Sequence, residues 1–238
     1  MRIAVISDIH ANILALEAVY SDIKKQGIDL IAFLGDLVMT GPRPLETFNL
    51  IKNINPYIWL QGNTDNWLEE INNDFIPKNE NEAFCKALRD YAFTSMNTSI
   101  IRDIISKPIK QKYVYNNVTI IFCHGSPLSF SQTILMNTDI KDMDTIISSN
   151  NANVICCGHT HIKTNIRYKN KSIINFGSIS IPGNDYSKMA RYGVLEIDDS
   201  SRIGFEFREV EFDISKFFMD MKERHFPGLE RLKEKYSY

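Results

Sequence analysis

The sequence predicts an α/β fold in which two mixed sheets pack face to face with helices on the outside. Three observations carry this expectation. From Ile3 to Leu60 short apolar runs alternate with stretches of helical period, the pattern of parallel strands joined by right-handed crossovers. Beyond Thr164 the strand-like runs follow one another through tight turns, which makes the second half mostly antiparallel. Five of the apolar runs stop abruptly at a carboxylate, an amide or an imidazole, as strands do when their carboxyl ends line a site.

The first run, Ile3-Ala4-Val5-Ile6, has a β-branched bias and ends in Ser7-Asp8-Ile9-His10 before a helical pattern opens near Asn12. In extended chain Asp8 and His10 would project the same way while Ile9 points back into protein. Leu14, Leu16, Ala18, Val19 and Ile23 make an amphipathic helix that Gly27 ends, and Asp29 to Leu34 is a second buried strand closed by Gly35-Asp36. Gly41-Pro42-Arg43-Pro44 turns the chain. A helix over Leu45 to Ile51 then leads to a third strand over Tyr57 to Leu60, followed by Gly62-Asn63-Thr64-Asp65. From Asn66 to about Lys110 apolar residues recur at helical spacing (Phe84, Leu88, Tyr91; then Ile100, Ile101, Ile104, Ile105) between Asn-rich turns. This reads as a helical insertion at about 66–110 within a single domain spanning 1–238, and not as a second core.

Strand character resumes at Tyr113-Val114-Tyr115, turns at Asn116-Asn117 and runs through Val118 to Cys123, ending in His124-Gly125-Ser126. A helix from about Asp139 to Ser148 leads to Val154-Ile155-Cys156-Cys157 and then Gly158-His159-Thr160-His161. Thr164 to Tyr168, Ser172 to Phe176, Tyr192 to Ile197 and Ile203 to Phe212 read as strands. In the last of these Ile203, Phe205 and Phe207 alternate with polar neighbours, as in a strand with one buried face, and the tail from Ile214 is helical.

With 44% hydrophobic residues the 238-residue chain can bury a sizeable core. Twenty-seven basic residues against 29 acidic ones give a net charge of -2, which argues against a dedicated nucleic-acid or anionic-membrane surface. Near the C-terminus Arg224, Arg231, Lys233 and Lys235 interleave with Glu223, Glu230 and Glu234, which reads as a solvated helix face. Asp8 interrupts the opening apolar run and no uncharged run reaches membrane-spanning length, so a soluble, cytoplasmic protein is expected. Cys85, Cys123, Cys156 and Cys157 lack Cys-x-x-Cys spacing and read as small buried hydrophobes of a reducing compartment.

Parallel strands gather their carboxyl ends along one edge of an open sheet, so Asp8, His10, Asp36, Asn63, His124, His159 and His161 can converge although they span most of the chain. Singly, each has a plainer reading. Asp8 or Asn12 could cap a helix, Gly-Asp and Gly-Asn are common turn chemistry, and His124 could be an ordinary surface histidine. Two imidazoles in Gly158-His159-Thr160-His161 weigh toward a metal ion, and of five histidines only His225 lies outside the strand ends. Seven oxygen and nitrogen donors suit two hard-to-borderline cations, with Asp36 able to bridge and Asn63 offering a neutral carbonyl oxygen. Two such cations, roughly 3.5–4 Å apart, can activate a bridging hydroxide and clamp phosphoryl oxygens during in-line displacement.

Asp8/His10, Gly35-Asp36, Gly62-Asn63-Thr64-Asp65, His124-Gly125 and Gly158-His159-Thr160-His161 appear in the order found in the calcineurin-like metallophosphoesterase superfamily, which this chain resembles. Its length, the helical insert and the Asn175-Phe176-Gly177-Ser178 stretch are similar to the small bacterial phosphodiesterase-like subgroup. The resemblance implies a four-layer αββα sandwich of two mixed sheets flanked by helices. It implies one metal on Asp8, His10, Asp36 and His161 and another on Asp36, Asn63, His124 and His159, with Asp36 bridging and Mn or Fe ahead of Zn as occupants. Asp36, Asn63 and residue 64 would be catalytic. Two departures stand out: Thr64 occupies the place of a family histidine, which calls general-acid catalysis into question, and Met39 replaces a frequent glycine, which would reshape the pocket.

The expected function is therefore hydrolysis of a small phosphodiester or phosphoanhydride, such as a dinucleoside polyphosphate, by attack of a metal-bridging hydroxide. A non-catalytic protein-binding scaffold of the same fold is one alternative, against which the complete donor set weighs. A nuclease is another, against which the balanced charge weighs. A small phosphorylated substrate is the expected partner, with no nucleic acid and no membrane; the oligomeric state is left open.

Overall fold

The computed structural model describes residues 1–237. In the first sheet β1 (Arg2–Ile6), β2 (Leu30–Phe33) and β3 (Ile58–Trp59) run parallel, joined by α1 (Ile13–Ile23) and α2 (Pro44–Ile54). Helices α3 (Asn63–Glu70), α4 (Glu80–Phe93) and α5 (Thr98–Ile105) then precede the second sheet, which opens with β4 (Lys110–Tyr115) and β5 (Val118–Cys123). After α6 (Ile140–Ser148) come β6 (Val154–Cys157), β7 (Thr164–Tyr168) and β8 (Lys171–Asn175). The chain returns to the first sheet through β9 (Ala190–Ile197) and β10 (Ile203–Val210) and ends in α7 (Ile214–Glu223) and α8 (Leu229–Tyr236). The strand orders are β10-β9-β1-β2-β3 and β4-β5-β6-β8-β7, with antiparallel strands at the β10 edge of the first sheet and at both edges of the second.

Local chemistry sets these boundaries. Asn12, Asn79, Asn97, Asp139 and Asp213 accept backbone N–H groups at the starts of α1, α4, α5, α6 and α7, and Pro44 opens α2. Asn116 and Asn117 both have positive φ, which suits the tight turn joining β4 to β5. Side-chain alternation then divides each central strand between two cores. On β1, Ile3 and Val5 pack between the sheets with Ile120 and Phe122 of β5 and Val154 and Cys156 of β6, while Ala4 and Ile6 face the helices of the first sheet. On β5 and β6, Ile121, Cys123, Ile155 and Cys157 meet Met143, Ile146 and Ile147 of α6. Burial on both faces explains why these strands read as continuous apolar runs. The layering is helix, sheet, sheet, helix, the four-layer αββα sandwich expected from the sequence.

Two expectations need correction. The site-bearing strands do not share one open sheet: β1, β2 and β3 belong to the first sheet and β5 and β6 to the second, so the site forms where two carboxyl edges meet. Nor is the Ile203–Phe205–Phe207 face buried throughout. Ile203 and Phe205 are 38% and 37% exposed, because β10 is an edge strand; Phe207 packs against the core between the sheets, and Phe205 meets that core at the Phe176 ring. All four cysteines are free thiols, with Cys123, Cys156 and Cys157 buried in strands. Among the described residues no helix is long and apolar enough to cross a membrane.

Candidate metal centre

Strand β1 ends at Ile6, and the convergence of Asp8 with His10 does not come from extended-chain alternation. It comes from left-handed backbone: Asp8, His10, Asp36, His159 and His161 have φ of 57°, 48°, 61°, 67° and 59°. Each such residue costs on the order of 1–2 kcal/mol unless its surroundings fix it. They do. The loops after β1 and β2 zip together through Asp8 N–H to Gly35 O (3.0 Å), His10 N–H to Asp36 O (3.0 Å) and Ala11 N–H to Leu37 O (2.8 Å). Ser178 Oγ donates to Asp8 O at 2.9 Å, and Asn175 Nδ2 donates to Gly158 O (2.6 Å) and Thr160 Oγ1 (2.9 Å), tying the loop after β6 to the end of β8. Ile9 is fully buried between Asp8 and His10, as expected.

Asn63, Thr64 and Asp65 lie in the first turn of α3, three residues earlier than the helical insertion predicted from the sequence. Asp65 makes the early start possible. Its carboxylate accepts the N–H groups of Gly62 (2.9 Å), Asp36 (2.8 Å) and Leu37 (2.9 Å), capping α3 and fixing the Asp36 turn together. Asp36 Oδ1 in turn accepts the Thr64 N–H at 2.9 Å, at the positive end of the helix. Gly62 is required by this closeness, since a Cβ there would overlap the Asp36 carboxylate.

The donors then gather. Asp36 Oδ2 lies 3.4 Å from His124 Nε2 and 3.7 Å from His10 Nε2, while Asp8 Oδ1 lies 3.3 Å from His161 Nε2 and 3.8 Å from His124 Nε2. His10 Nε2 is 3.2 Å from His161 Nε2, and Asn63 Oδ1 is 3.1 Å from His124 Nε2. Two groups close within 4.8 Å, Asp8 with His10 and His161, and Asp8 with Asp36 and His124. His159 sits beside them, its ring 5.4 Å from that of His124 and its N–H donated to Asp8 Oδ2.

Burial opposes charge on both carboxylates, yet His161 and His124 beside Asp8, and His124 with its hydrogen bond beside Asp36, hold both below the usual carboxylate range. Burial and the Asp36 charge push Asp65 the other way, to about 7. Burial lowers His10 and His159; for His124 it is outweighed by Asp36 and Asp8, which raise the imidazole to about 9.

This arrangement fits metal ions by its own chemistry. Asp8 Oδ1 is buried with no hydrogen-bond partner. His10 and His124 place Nδ1 at 3.1 Å and 3.0 Å from the carbonyls of Met39 and Leu34, so each donates from Nδ1 and turns Nε2 inward, as a free lone pair on His10 and, on His124, as a lone pair that a cation would claim by displacing the proton the carboxylates hold there. Lone pairs facing one another and facing carboxylates are satisfied together by cations, and backbone carbonyls orienting imidazoles are the usual outer support of such sites.

The donors open onto a cavity of about 350 Å³ lined by His10, Asp36, Asn63, Thr64, His159 and His161. Its other walls come from Trp67 of α3, Phe84, Cys85 and Leu88 of α4, Ile181, and Arg231, Leu232 and Lys235 of α8. Thr64 Oγ1 is buried with no hydrogen-bond partner. Met39, by contrast, is buried in the core, and its contribution is the carbonyl that orients His10, so the expected reshaping of the pocket does not arise there. Sequence reasoning left Asp65 and Asn175 without roles and read α8 as merely solvated; the signal in α8 was the spacing of buried Leu232 and Tyr236 beside Arg231 and Lys235.

The model of the calcineurin-like phosphoesterase superfamily domain matches residues 1–200. The chain belongs to this superfamily. It is 30% identical to an uncharacterized protein of Methanocaldococcus jannaschii, over 94% of this chain and 93% of that one. A metallophosphoesterase from Sphaerobacter thermophilus superposes with a TM-score of 0.78 at 26% identity, covering 100% of this chain and 98% of its own. A hypothetical protein from Pyrococcus horikoshii gives 0.76 at 20% identity, with 99% and 96% covered. The calcineurin-like phosphoesterase match thus spans β1 to β9 and every donor named above, and β10, α7 and α8 lie beyond it.

Proposed function

We propose that this chain is a binuclear metal-dependent phosphoesterase that hydrolyses a small phosphodiester or phosphoanhydride, a nucleotide such as a dinucleoside polyphosphate being within its range. The observation that carries the reading is the unpartnered Asp8 Oδ1 among inward-facing imidazole Nε2 atoms. Asp8, His10, Asp36 and His161 would hold one ion, and Asp36, Asn63, His124 and His159 the other; Mn or Fe are the proposed occupants, and the mixed oxygen and nitrogen donors suit Zn as well. Such ions, when bound, polarise phosphoryl oxygens and make coordinated water acidic enough to react near neutrality. Helices α3–α5 act as a cap in this reading, with Trp67, Phe84 and Leu88 walling substrate away from bulk water. Hydrolysis of bis-p-nitrophenyl phosphate should require added Mn and stop on chelation. Chelator-resistant activity, or no activity at any metal loading, would remove the proposal.

Thr64 sets the leaving-group preference. Thr64 lines the cavity with its hydroxyl buried and unpartnered within the protein, and a threonine hydroxyl is too weak an acid to deliver a proton near neutrality. A positioned general acid is typically worth roughly 10²–10⁴-fold. Rates should therefore fall steeply as leaving-group pKa rises, and Thr64→His should raise the rate mainly on poor leaving groups. A flat dependence in the wild type would show that another acid serves the reaction.

A further inference from the structure

The C-terminal helix carries charge that the reaction at the metal centre leaves unused. Arg231 and Lys235 are four residues apart on α8, so they share one face, and both line the cavity onto which the donors open. Lys233 of the same helix pairs with Glu230 at 3.2 Å, but among the described residues neither Arg231 nor Lys235 has a carboxylate partner. Arg231 is nevertheless held in place, its guanidinium 3.9 Å above the Phe84 ring of α4. The helix itself is fixed to the site. Leu232 and Tyr236 are buried, and the Tyr236 hydroxyl donates to Ser180 O at 2.6 Å, in the segment whose Ser178 hydroxyl holds Asp8.

Two unpaired cations at the rim of a cavity whose apolar wall is Trp67, Phe84, Leu88 and Ile181, with Thr40 and Asn81 as further polar lining, form a recognition device for an anion attached to an apolar body. The cavity, at about 350 Å³, is larger than the reacting phosphoryl group needs. We infer that Arg231 and Lys235 bind a second anionic group of the substrate, so that the substrate is a diester or anhydride bearing a further phosphate beyond the one attacked, with a flat apolar group against Trp67 and Leu88. This deepens the phosphoesterase reading and rests on it. Nucleoside di- and polyphosphates have this chemistry; simple aryl diesters do not.

The test compares two substrates on the full-length, Mn-loaded protein. In Arg231→Gln/Lys235→Gln, kcat/KM for diadenosine tetraphosphate should fall about 100-fold relative to that for bis-p-nitrophenyl phosphate, roughly tenfold per cation, mainly through KM. Arg231→Lys should recover part of the loss, and Lys233→Gln, which removes the same charge outside the cavity, should leave the ratio where it was. An unmoved ratio in the double variant, with both substrates turned over, overturns the inference while the phosphoesterase reading stands. If the wild type turns over neither substrate, the phosphoesterase reading fails and binding decides the subsite. Tryptophan-fluorescence titration with ADP should give a Kd about tenfold or more weaker in the double variant, and equal Kd values, or no binding by the wild type, overturn it.

Discussion

Asp36→Asn is expected to lower diester hydrolysis about 10³-fold or more and to reduce bound metal below two ions per chain, even with Mn in excess. The carboxylate stands between His10 and His124, with Oδ2 3.7 Å and 3.4 Å from their Nε2 atoms, while Oδ1 is committed to the Thr64 N–H. An asparagine can keep its oxygen on Thr64 only by turning its amide nitrogen toward the two imidazoles. That nitrogen has no lone pair to give a cation, but it donates hydrogen bonds to imidazole lone pairs well. The metal-free variant should nevertheless be less stable than the metal-free wild type near neutrality, because, against the opposing effect of burial, His124 holds the Asp36 carboxyl below its ordinary range, and the stability this pair contributes above the unfolded carboxyl pKa is lost with the charge. Mn should raise the melting temperature of the wild type and leave that of the variant nearly unmoved. Metal analysis showing two ions in an active Asp36→Asn protein would take the bridging role away from Asp36.

The clustered residues could be picked out from sequence because most follow a strand buried on both faces, and such a strand is a nearly uninterrupted apolar run that makes its polar terminus conspicuous. The means of convergence could not be read. Left-handed φ at Asp8, His10, Asp36, His159 and His161 is unfavourable for these residue types locally, and it is imposed by contacts from far along the chain such as Ser178 to Asp8 and Asn175 to Gly158. Strand alternation predicted that Asp8 and His10 come together, and they do, but through left-handed turns and not through an extended strand. The split of the donors over two sheets is likewise a property of how the sheets stack, which no local pattern encodes. In α8, charge interleaving concealed function: Glu230 and Glu234 occupy a different stripe from Arg231 and Lys235, and only the helical period separates the solvated stripe from the one facing the cavity. The edge position of β10 defeated another local rule, since alternation there marks a face that its sheet neighbours leave partly open.

Replacing Asp65 should destabilise the protein more than any change at a metal donor, although Asp65 lies behind the donors. Asp65→Ala leaves the buried N–H groups of Gly62, Asp36 and Leu37 without an acceptor, at about 1–3 kcal/mol each. A total of about 3 kcal/mol or more corresponds to a fall in melting temperature of roughly 6–12 °C for a chain of this size. Metal affinity should drop about 10–100-fold as the Asp36 turn loosens. Asp65→Asn separates charge from hydrogen bonding. In the metal-free protein burial, followed by Asp36, raises Asp65 to about 7, above the 3.8 expected of an unperturbed aspartate. A carboxyl raised on folding contributes most below its unfolded pKa, and that contribution is lost as pH climbs through the folded value. The stability of chelated wild type relative to chelated Asp65→Asn should thus decline between about pH 4 and pH 7.5, since the amide has no proton to lose. Mn bound at Asp36 cancels the repulsion that raises Asp65, so the same comparison with metal present should be flatter. A difference that stays constant with pH in the chelated proteins would mean that the three N–H donors keep Asp65 ionised throughout, and that its work is purely to hold the turn.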